Sequence, residues 1–463
     1  MITVDVLVAE IGSTTTAINA FDQVESSRPL CIGQGMAATT AEQGNVNVGL
    51  NNAIVDLERQ LGDSLSWGEL YASSSAAGGL KMTVHGLAYN MTAKAGNEAA
   101  LGAGAVVHLV TAGVLKRYDL KKLKEIRPNI ILLAGGVDYG ESDTALANAG
   151  LIARALKEIN HFPPVVYAGN KAVAEEIADV FARHKIECIN TENVYPEIDQ
   201  LNVEPSRKII QAVFEENICE APGMARIRQM VKGRIMPTPG AVMQAAKLLY
   251  QDIGDLMVID VGGATTDVHS VTEPPARGDT VVANVEPIAK RTVEGDLGVF
   301  INSPNVVMLA GDDKIRAGFG EDYQRLIKPI PDSPPGIKLM QYLTRVAIAN
   351  AVSRHVGAIK PLYGQGSHRS LMIGKDLASV RWIIGTGGAL SRLPGGEEML
   401  KEVRRERNSK EMRPPNDAIC LLDRHYIMAS TGVLSLQYPA TALRLIKDSL
   451  KLDGEISNAK PKI

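Results

Sequence analysis

Two short runs of this chain put a carboxylate, glycine and hydroxyl side chains at the end of an apolar segment. The first is Glu10-Ile11-Gly12-Ser13-Thr14-Thr15, within VLVAEIGSTTTAINAF. The second is Asp260-Val261-Gly262-Gly263-Ala264-Thr265-Thr266, within LMVIDVGGATTDVHSV. Glycine lets a backbone approach a ligand closely and take positive φ. Successive backbone N–H groups in such a turn form an anion-binding nest, and Ser and Thr hydroxyls add donors. A carboxylate at the strand end repels phosphate unless a cation stands between them. Acid and turn together therefore point to Mg2+, held partly through water. Taken singly, each run is as readily an ordinary hairpin. The repeated pattern argues for two halves of a duplicated fold that clamp the β- and γ-phosphates of a nucleotide from opposite sides.

A third run, RWIIGTGGALSRL, takes a short apolar strand into Gly385-Thr386-Gly387-Gly388-Ala389 and then a helix. A glycine pair there lets a flat ring lie against the backbone, which makes this the expected purine and ribose site. The expected roles are as follows. Glu10 and Asp260 hold the metal. Gly12, Ser13, Thr14, Thr15, Gly262, Gly263, Thr265 and Thr266 hold the phosphates. Gly385, Thr386, Gly387 and Gly388 hold the adenosine. The EGDLG segment, Glu294 to Gly298, reads either as a contact to nucleotide or partner, or as a capped turn.

These loops need strands and helices to hold them. Strands are expected at Val4–Ala9, Thr16–Phe21 and Pro29–Ala37, a helix over Val48–Leu61, and a strand at Glu69–Ser73. From Gly79 to about Asn190 strand-like and helical runs alternate. NIILLAGG, PVVYAG and IECIN are the strands, and Ser142 or Asp143 caps the helix after the first. A β-α-β-α-β run implies a parallel sheet, read here as an insertion with its own core. The expected organisation is a first lobe segment at 1–78, the inserted domain at 79–195, and connecting helices at 196–255. A second lobe at 256–445 and a polar tail at 446–463 complete it.

With 463 residues the chain is too long for one core. A net charge of −3 gives no electrostatic case for nucleic acid or an anionic membrane as main partner. No apolar run is long enough to span a bilayer. The start lacks a basic n-region and a cleavage pattern, so a cytoplasmic location is expected. Cys31, Cys188, Cys219 and Cys420 are scattered, which argues against a metal cluster or a disulfide framework. The eight histidines do not assemble by spacing.

Phosphate loop, second phosphate loop and adenosine loop, in this order, resemble the actin/Hsp70/sugar-kinase superfamily. MPTPGAVMQAAKLLY (Met236–Tyr250) resembles its first connecting helix. YIMASTGVLSL (Tyr426–Leu436) resembles the second, where Gly432 would permit close packing of the two. Within the superfamily the chain most resembles the glutamate mutase accessory proteins called MutL or GlmL, unrelated to the DNA-repair protein of similar name. The resemblance rests on SSSAAGGLKMTVHGLA, LLAGGVDYGESDTALANA, TVEGDLGVFINSP and LLDRHYIMASTGVLS. It implies an α/β fold: duplicated actin-like ATPase (ribonuclease H-like) lobes with an inserted parallel-sheet domain. It implies ATP and Mg2+ as cofactors and slow ATP hydrolysis that reactivates an adenosylcobalamin-dependent mutase by helping to expel damaged cobalamin. Three departures bear on hydrolysis. Glu10 stands where the superfamily usually has Asp, Ala17 where many relatives have Lys, and Thr238 where chaperone-type relatives have a catalytic or metal-linked Glu, so the resemblance leaves Glu10, Asp260 or Asp267 to orient the attacking water. The competing expectations are a small-molecule kinase of the same fold and a nucleotide-gated scaffold without turnover. Homo-oligomerisation stays open. Activation of a hydroxyacyl-CoA dehydratase uses similar loops but needs clustered cysteines, which are absent.

Overall fold

Strand Ile2–Ile11 is buried along almost its whole length, as a near-continuous apolar run should be when both faces of its sheet are covered. It pairs antiparallel with Thr15–Asp22, which pairs antiparallel with Leu30–Ala38. On its other side it pairs parallel with Leu65–Ser74, and that strand with Met236–Pro237. The structure, a computed structural model, describes residues 1–40, 45–75, 81–103, 105–220, 224–273, 281–282, 286–361, 370–404 and 410–452. The polar tail beyond Gly454 lies outside these residues.

A second five-stranded sheet repeats this plan. Leu256–Val261 is its central strand, antiparallel to Thr266–Val271, which is antiparallel to Ala289–Glu294. On the other side Trp382–Thr386 and then Ile419–Leu422 pair in parallel. In both sheets the strand order is therefore third, second, first, fourth, fifth, with the same directions. In both, a helix crosses from third strand to fourth: Val46–Leu61 in the first lobe and Pro334–His355 in the second. In both, a helix also follows the fifth strand: Thr238–Ile253 and Met428–Leu434. The duplication expected from the two acid–glycine runs extends to the whole lobe, each a ribonuclease H-like unit.

Local chemistry fixes these elements. Asn45 caps the helix Val46–Leu61 by accepting from the Asn47 N–H, and Gly62 at φ 76° ends it. Leu50 and Leu57 on its inner face are fully buried, each contributing about 2 kcal/mol. Gly35 lets the third strand lie against that helix, since a Cβ there would stand 2.0 Å from the Ala53 carbonyl oxygen. The helices Thr238–Ile253 and Met428–Leu434 share one core with the facing sides of both sheets, through Val8, Val258, Ile384 and Val433.

The lobes form one unit, Met1–Ala76, Pro222–Ala283 and Ile288–Ile463. The other, Ala77–Ala221 with Asn284–Pro287, enters the chain between the fourth and fifth strands of the first lobe. Its five strands are all parallel, ordered Val106–Ala112, Lys81–Gly86, Ile130–Leu133, Val165–Tyr167, Cys188–Asn190. Leu133, Ile152, Tyr167, Ile177 and Phe181 close its own core. Lys94 and Glu286, both in this unit, form an ion pair.

Candidate functional site

Each lobe's first two strands meet in a tight turn that opens on one cleft. In the first turn the Gly12 N–H donates to the Thr15 carbonyl at 3.0 Å; in the second the Gly262 N–H donates to Thr265 at 2.9 Å. The two turns thus share one hydrogen bond at matching positions. A Cβ on Gly12 would stand 2.6 Å from the Thr15 carbonyl oxygen, so this turn requires glycine. The tips of the two turns abut: a Cβ on Gly263 would stand 2.9 Å from Thr14 Oγ1. The first turn is stapled from behind by Thr39 N–H to the Thr14 carbonyl and by Ser13 Oγ to the Ser75 carbonyl.

The cleft has a volume of about 480 Å³, the size of a small-molecule site. Its lining includes Glu10, Gly12, Ser13, Thr14, Thr15, Asp260, Gly262, Gly263, Thr265, Asp267 and Gly388. Thr266, Gly385, Thr386 and Gly387 are placed elsewhere. The Thr266 hydroxyl donates to the Leu297 carbonyl at 2.8 Å, and that of Thr386 to Asp423 Oδ2 at 2.8 Å. Gly385 lies in the strand against Leu400. Gly387, at φ 86°, packs so closely on the second lobe's acid that a Cβ would stand 2.4 Å from Asp260 Oδ1.

Three carboxylates gather at the cleft floor. Asp260 and Asp267 are register partners across the second hairpin. Burial pushes Glu10 up to about 7, against the lowering hydrogen bond from Tyr426 and helped by the nearby Asp423 charge. Burial raises Asp260 well above the usual range, with Asp267, Glu10 and Asp423 adding repulsion. Burial raises Asp267 to about 6, with the Arg291 guanidinium opposing. Glu10 Oε2 and Asp267 Oδ1 are buried and make no hydrogen bond. Two orphaned carboxylate oxygens, on groups that both disfavour the charge of Asp260, fit a hard divalent cation. Among the described residues no group of three or more His, Cys, Asp or Glu could hold a metal by itself. The donors thus fit Mg2+, which usually keeps water and substrate phosphate as ligands, better than a cation caged by protein.

Several lining residues carried no sequence signal. Ile330, Pro331, Ile337, Met340, Leu393 and Pro394 give part of the cleft an apolar wall beside Gly388. Arg392, four residues past Gly388, is the one basic residue among the described lining residues; a cation after GTGGA was the available clue. Tyr426 donates to Glu10 Oε1 at 3.0 Å from 416 positions away, a distance in sequence that no motif spans. Thr238 lines the cleft and donates to Ser73 Oγ at 3.4 Å. The EGDLG segment backs the second turn, where a Cβ on Gly298 would stand 2.3 Å from the Ala264 carbonyl oxygen, and the two residues after it bind the same turn. Phe300 and Val299 donate to the carbonyls of Gly263 and Gly262, and Arg354 grips Asp296 through both oxygens and Glu294 through one.

Two lobes of one topology, with matching acid–glycine–hydroxyl turns meeting over a single cleft, define the actin-like ATPase fold. The MutL protein family model matches residues 6–450. Protein MutL of Clostridium tetanomorphum is 36% identical over 96% of this chain and 98% of its own length. The chain belongs to the MutL family. Among solved structures it is similar to nucleotide-free acetone carboxylase, at 13% identity and TM-score 0.42 over 93% of this chain and 70% of that one. It is also similar to nucleotide-free diol dehydratase-reactivating factor, at 12% identity and TM-score 0.35 over 94% and 99%. At such scores neither likeness carries weight; the fold rests on the strand order. No helix among the described residues is long and apolar enough to cross a membrane.

Proposed function

We propose that this protein is a slow Mg2+-dependent ATPase that reactivates an adenosylcobalamin-dependent mutase, glutamate mutase or a relative, by helping to expel damaged cobalamin. The observation that carries the reading is the pair of turns with abutting tips, at Gly263 and Thr14, over a cleft floored by carboxylates. Membership of the MutL family supports the choice of partner.

In this reading the turns Gly12–Thr15 and Gly262–Thr265 take the β- and γ-phosphates from opposite sides, through hydroxyls and through N–H groups other than those of Gly12 and Gly262, which close the turns. Glu10 and Asp260 would hold Mg2+, which when bound neutralises phosphate charge and relieves the repulsion among the acids. Asp267, or one of these two, accepts a proton from or orients the attacking water. The apolar wall near Gly388 takes the base, and Arg392 supplies the positive charge that the missing lysine of the first turn does not. Loss of the γ-phosphate removes contacts to one turn, and the lobes reopen about their connecting helices. The parallel-sheet unit is the part we assign to gripping the partner, and a cytoplasmic setting follows from that role.

The test is to inactivate candidate mutases with damaged cobalamin and add this protein, ATP, Mg2+ and fresh cofactor. Recovered mutase activity that disappears in Glu10→Gln is expected. Failure of any adenine nucleotide to bind in a calorimeter sinks the reading. Fast ATP turnover with a soluble acceptor and no mutase would instead make the protein a kinase.

A further inference from the structure

We propose that Tyr426 is the positioning residue that aims the Glu10 carboxylate into the cleft and ties it to the connecting helix Met428–Leu434. The proposal rests on the nucleotide reading above.

The need for such a residue follows from Glu10 itself. Glutamate has one more side-chain torsion than aspartate, so its carboxylate sweeps a larger volume and loses more freedom when it is fixed. A donor on one oxygen removes that freedom. The Tyr426 hydroxyl donates to Glu10 Oε1 at 3.0 Å, while Oε2, buried and without a partner, is left over. Both residues line the cleft. A phenol suits this task better than a basic side chain would. It orders the carboxylate without cancelling the charge a cation needs, and it does not compete with that cation for the site.

The backbone of Tyr426 is held as firmly as its hydroxyl is placed. It takes φ 52°, a left-handed conformation uncommon for an aromatic residue, and such outliers persist only where their surroundings fix them. Its N–H donates to the Asp423 carbonyl at 3.2 Å, and its own carbonyl accepts from Gln34 Nε2 at 3.1 Å. The Asp423 carboxylate in turn accepts from the N–H groups of Ile427 and Met428 at the start of the helix. Gln34 Nε2 also donates to Asn19 Oδ1 at 2.7 Å, and Asn19 Nδ2 donates to Ser430 Oγ, within that helix, at 2.8 Å. A shift of the Glu10 carboxylate on losing its cation is therefore passed to the turn from which this helix starts.

The test titrates ADP into the full-length protein by calorimetry at stepped Mg2+ concentrations, for wild type, Tyr426→Phe, Glu10→Asp and the double variant. Tyr426→Phe removes one hydrogen bond to a charged group, so it is expected to need on the order of tenfold more Mg2+ for half-maximal affinity. Glu10→Asp withdraws the carboxylate from the phenol. Adding Tyr426→Phe to it is then expected to change the Mg2+ requirement no further, a non-additivity that general loosening of the fold does not produce. Overlap of Tyr426→Phe with wild type overturns the proposal, as does the full shift appearing again in the Glu10→Asp background. A second readout needs no change at Tyr426: with 13Cζ-labelled tyrosine, one phenol resonance moves on adding Mg2+ with ADP in wild type and stays still in Glu10→Asp. Absence of a moving resonance counts against it. Wild type that binds no nucleotide removes the ATPase reading itself, a result distinct from any of these.

Discussion

The sharpest packing prediction concerns Gly432. Its Cα faces the helix Thr238–Ile253 so closely that a Cβ would stand 1.8 Å from the Ala241 carbonyl oxygen and 2.6 Å from its carbonyl carbon. A side-chain carbon rarely comes nearer than 3.0 Å to such an atom, so Gly432→Ala must part the helices by roughly 1.2 Å at this point. Neither side can yield locally. The obstacle is helix backbone, and every residue of Met428–Leu434 is buried. Alanine in a helix interior gains about 1 kcal/mol over glycine by propensity. Overpacking a tight core costs about 1–3 kcal/mol and sometimes more, and here the clash is with backbone, so the clash wins. A net loss of about 2 kcal/mol lowers the melting temperature by a few degrees in a unit of this size. The same parting moves Thr238, at the start of one helix, relative to Tyr426, just before the other; both line the cleft. A 1 Å misplacement of positioning groups costs up to ~100-fold in a site of this kind. Thermal melting and ADP calorimetry on Gly432→Ala together test the argument. A variant with wild-type melting and wild-type nucleotide affinity would refute it, because the helices would then have room that the close approach denies.

Gly263→Ala pushes a Cβ to within 2.9 Å of Thr14 Oγ1 and should weaken ADP binding about tenfold; combined with Thr14→Ala the loss should be smaller than the sum of the single losses, and strict additivity by calorimetry counts against abutting turns. His85 is fully buried, accepts or donates to the Thr111 and Thr83 hydroxyls at 2.8 and 3.0 Å, and is lowered to about 4 by burial. Its folded pKa lies below the unfolded value of about 6.5, so the folded state binds fewer protons between pH 6.5 and 4. Stability from this group is complete above about pH 6.5 and falls by up to about 3 kcal/mol on acidification towards pH 4. Melting curves at pH 7 and 5 should therefore separate more for wild type than for His85→Gln, and equal separations would contradict the argument.

The residues settle more of this protein than their order alone suggests. Acid, glycine and hydroxyl at the ends of two apolar runs were enough to specify two matching hairpins, because a tight turn carrying Gly12 or Gly262 leaves the backbone few alternatives. The periodicity of the middle of the chain was enough to imply a parallel sheet, since strand–helix–strand runs need crossovers. The packing role of Gly432 came from the resemblance of its segment to a connecting helix, and the close approach to the Ala241 carbonyl agrees with it. What the local pattern does not contain is which residues of each loop reach the cleft. The glycine run at Gly385–Gly388 looks uniform in sequence, yet only Gly388 reaches the cleft, while Gly387 is pressed on Asp260 and Thr386 holds Asp423. The apolar wall from Ile330 to Met340 and the phenol on Glu10 likewise belong to the folded state. Local preferences act over a few residues, whereas burial of the shared core between the sheets brings together positions 416 apart, and that burial alone decides that Tyr426 meets Glu10.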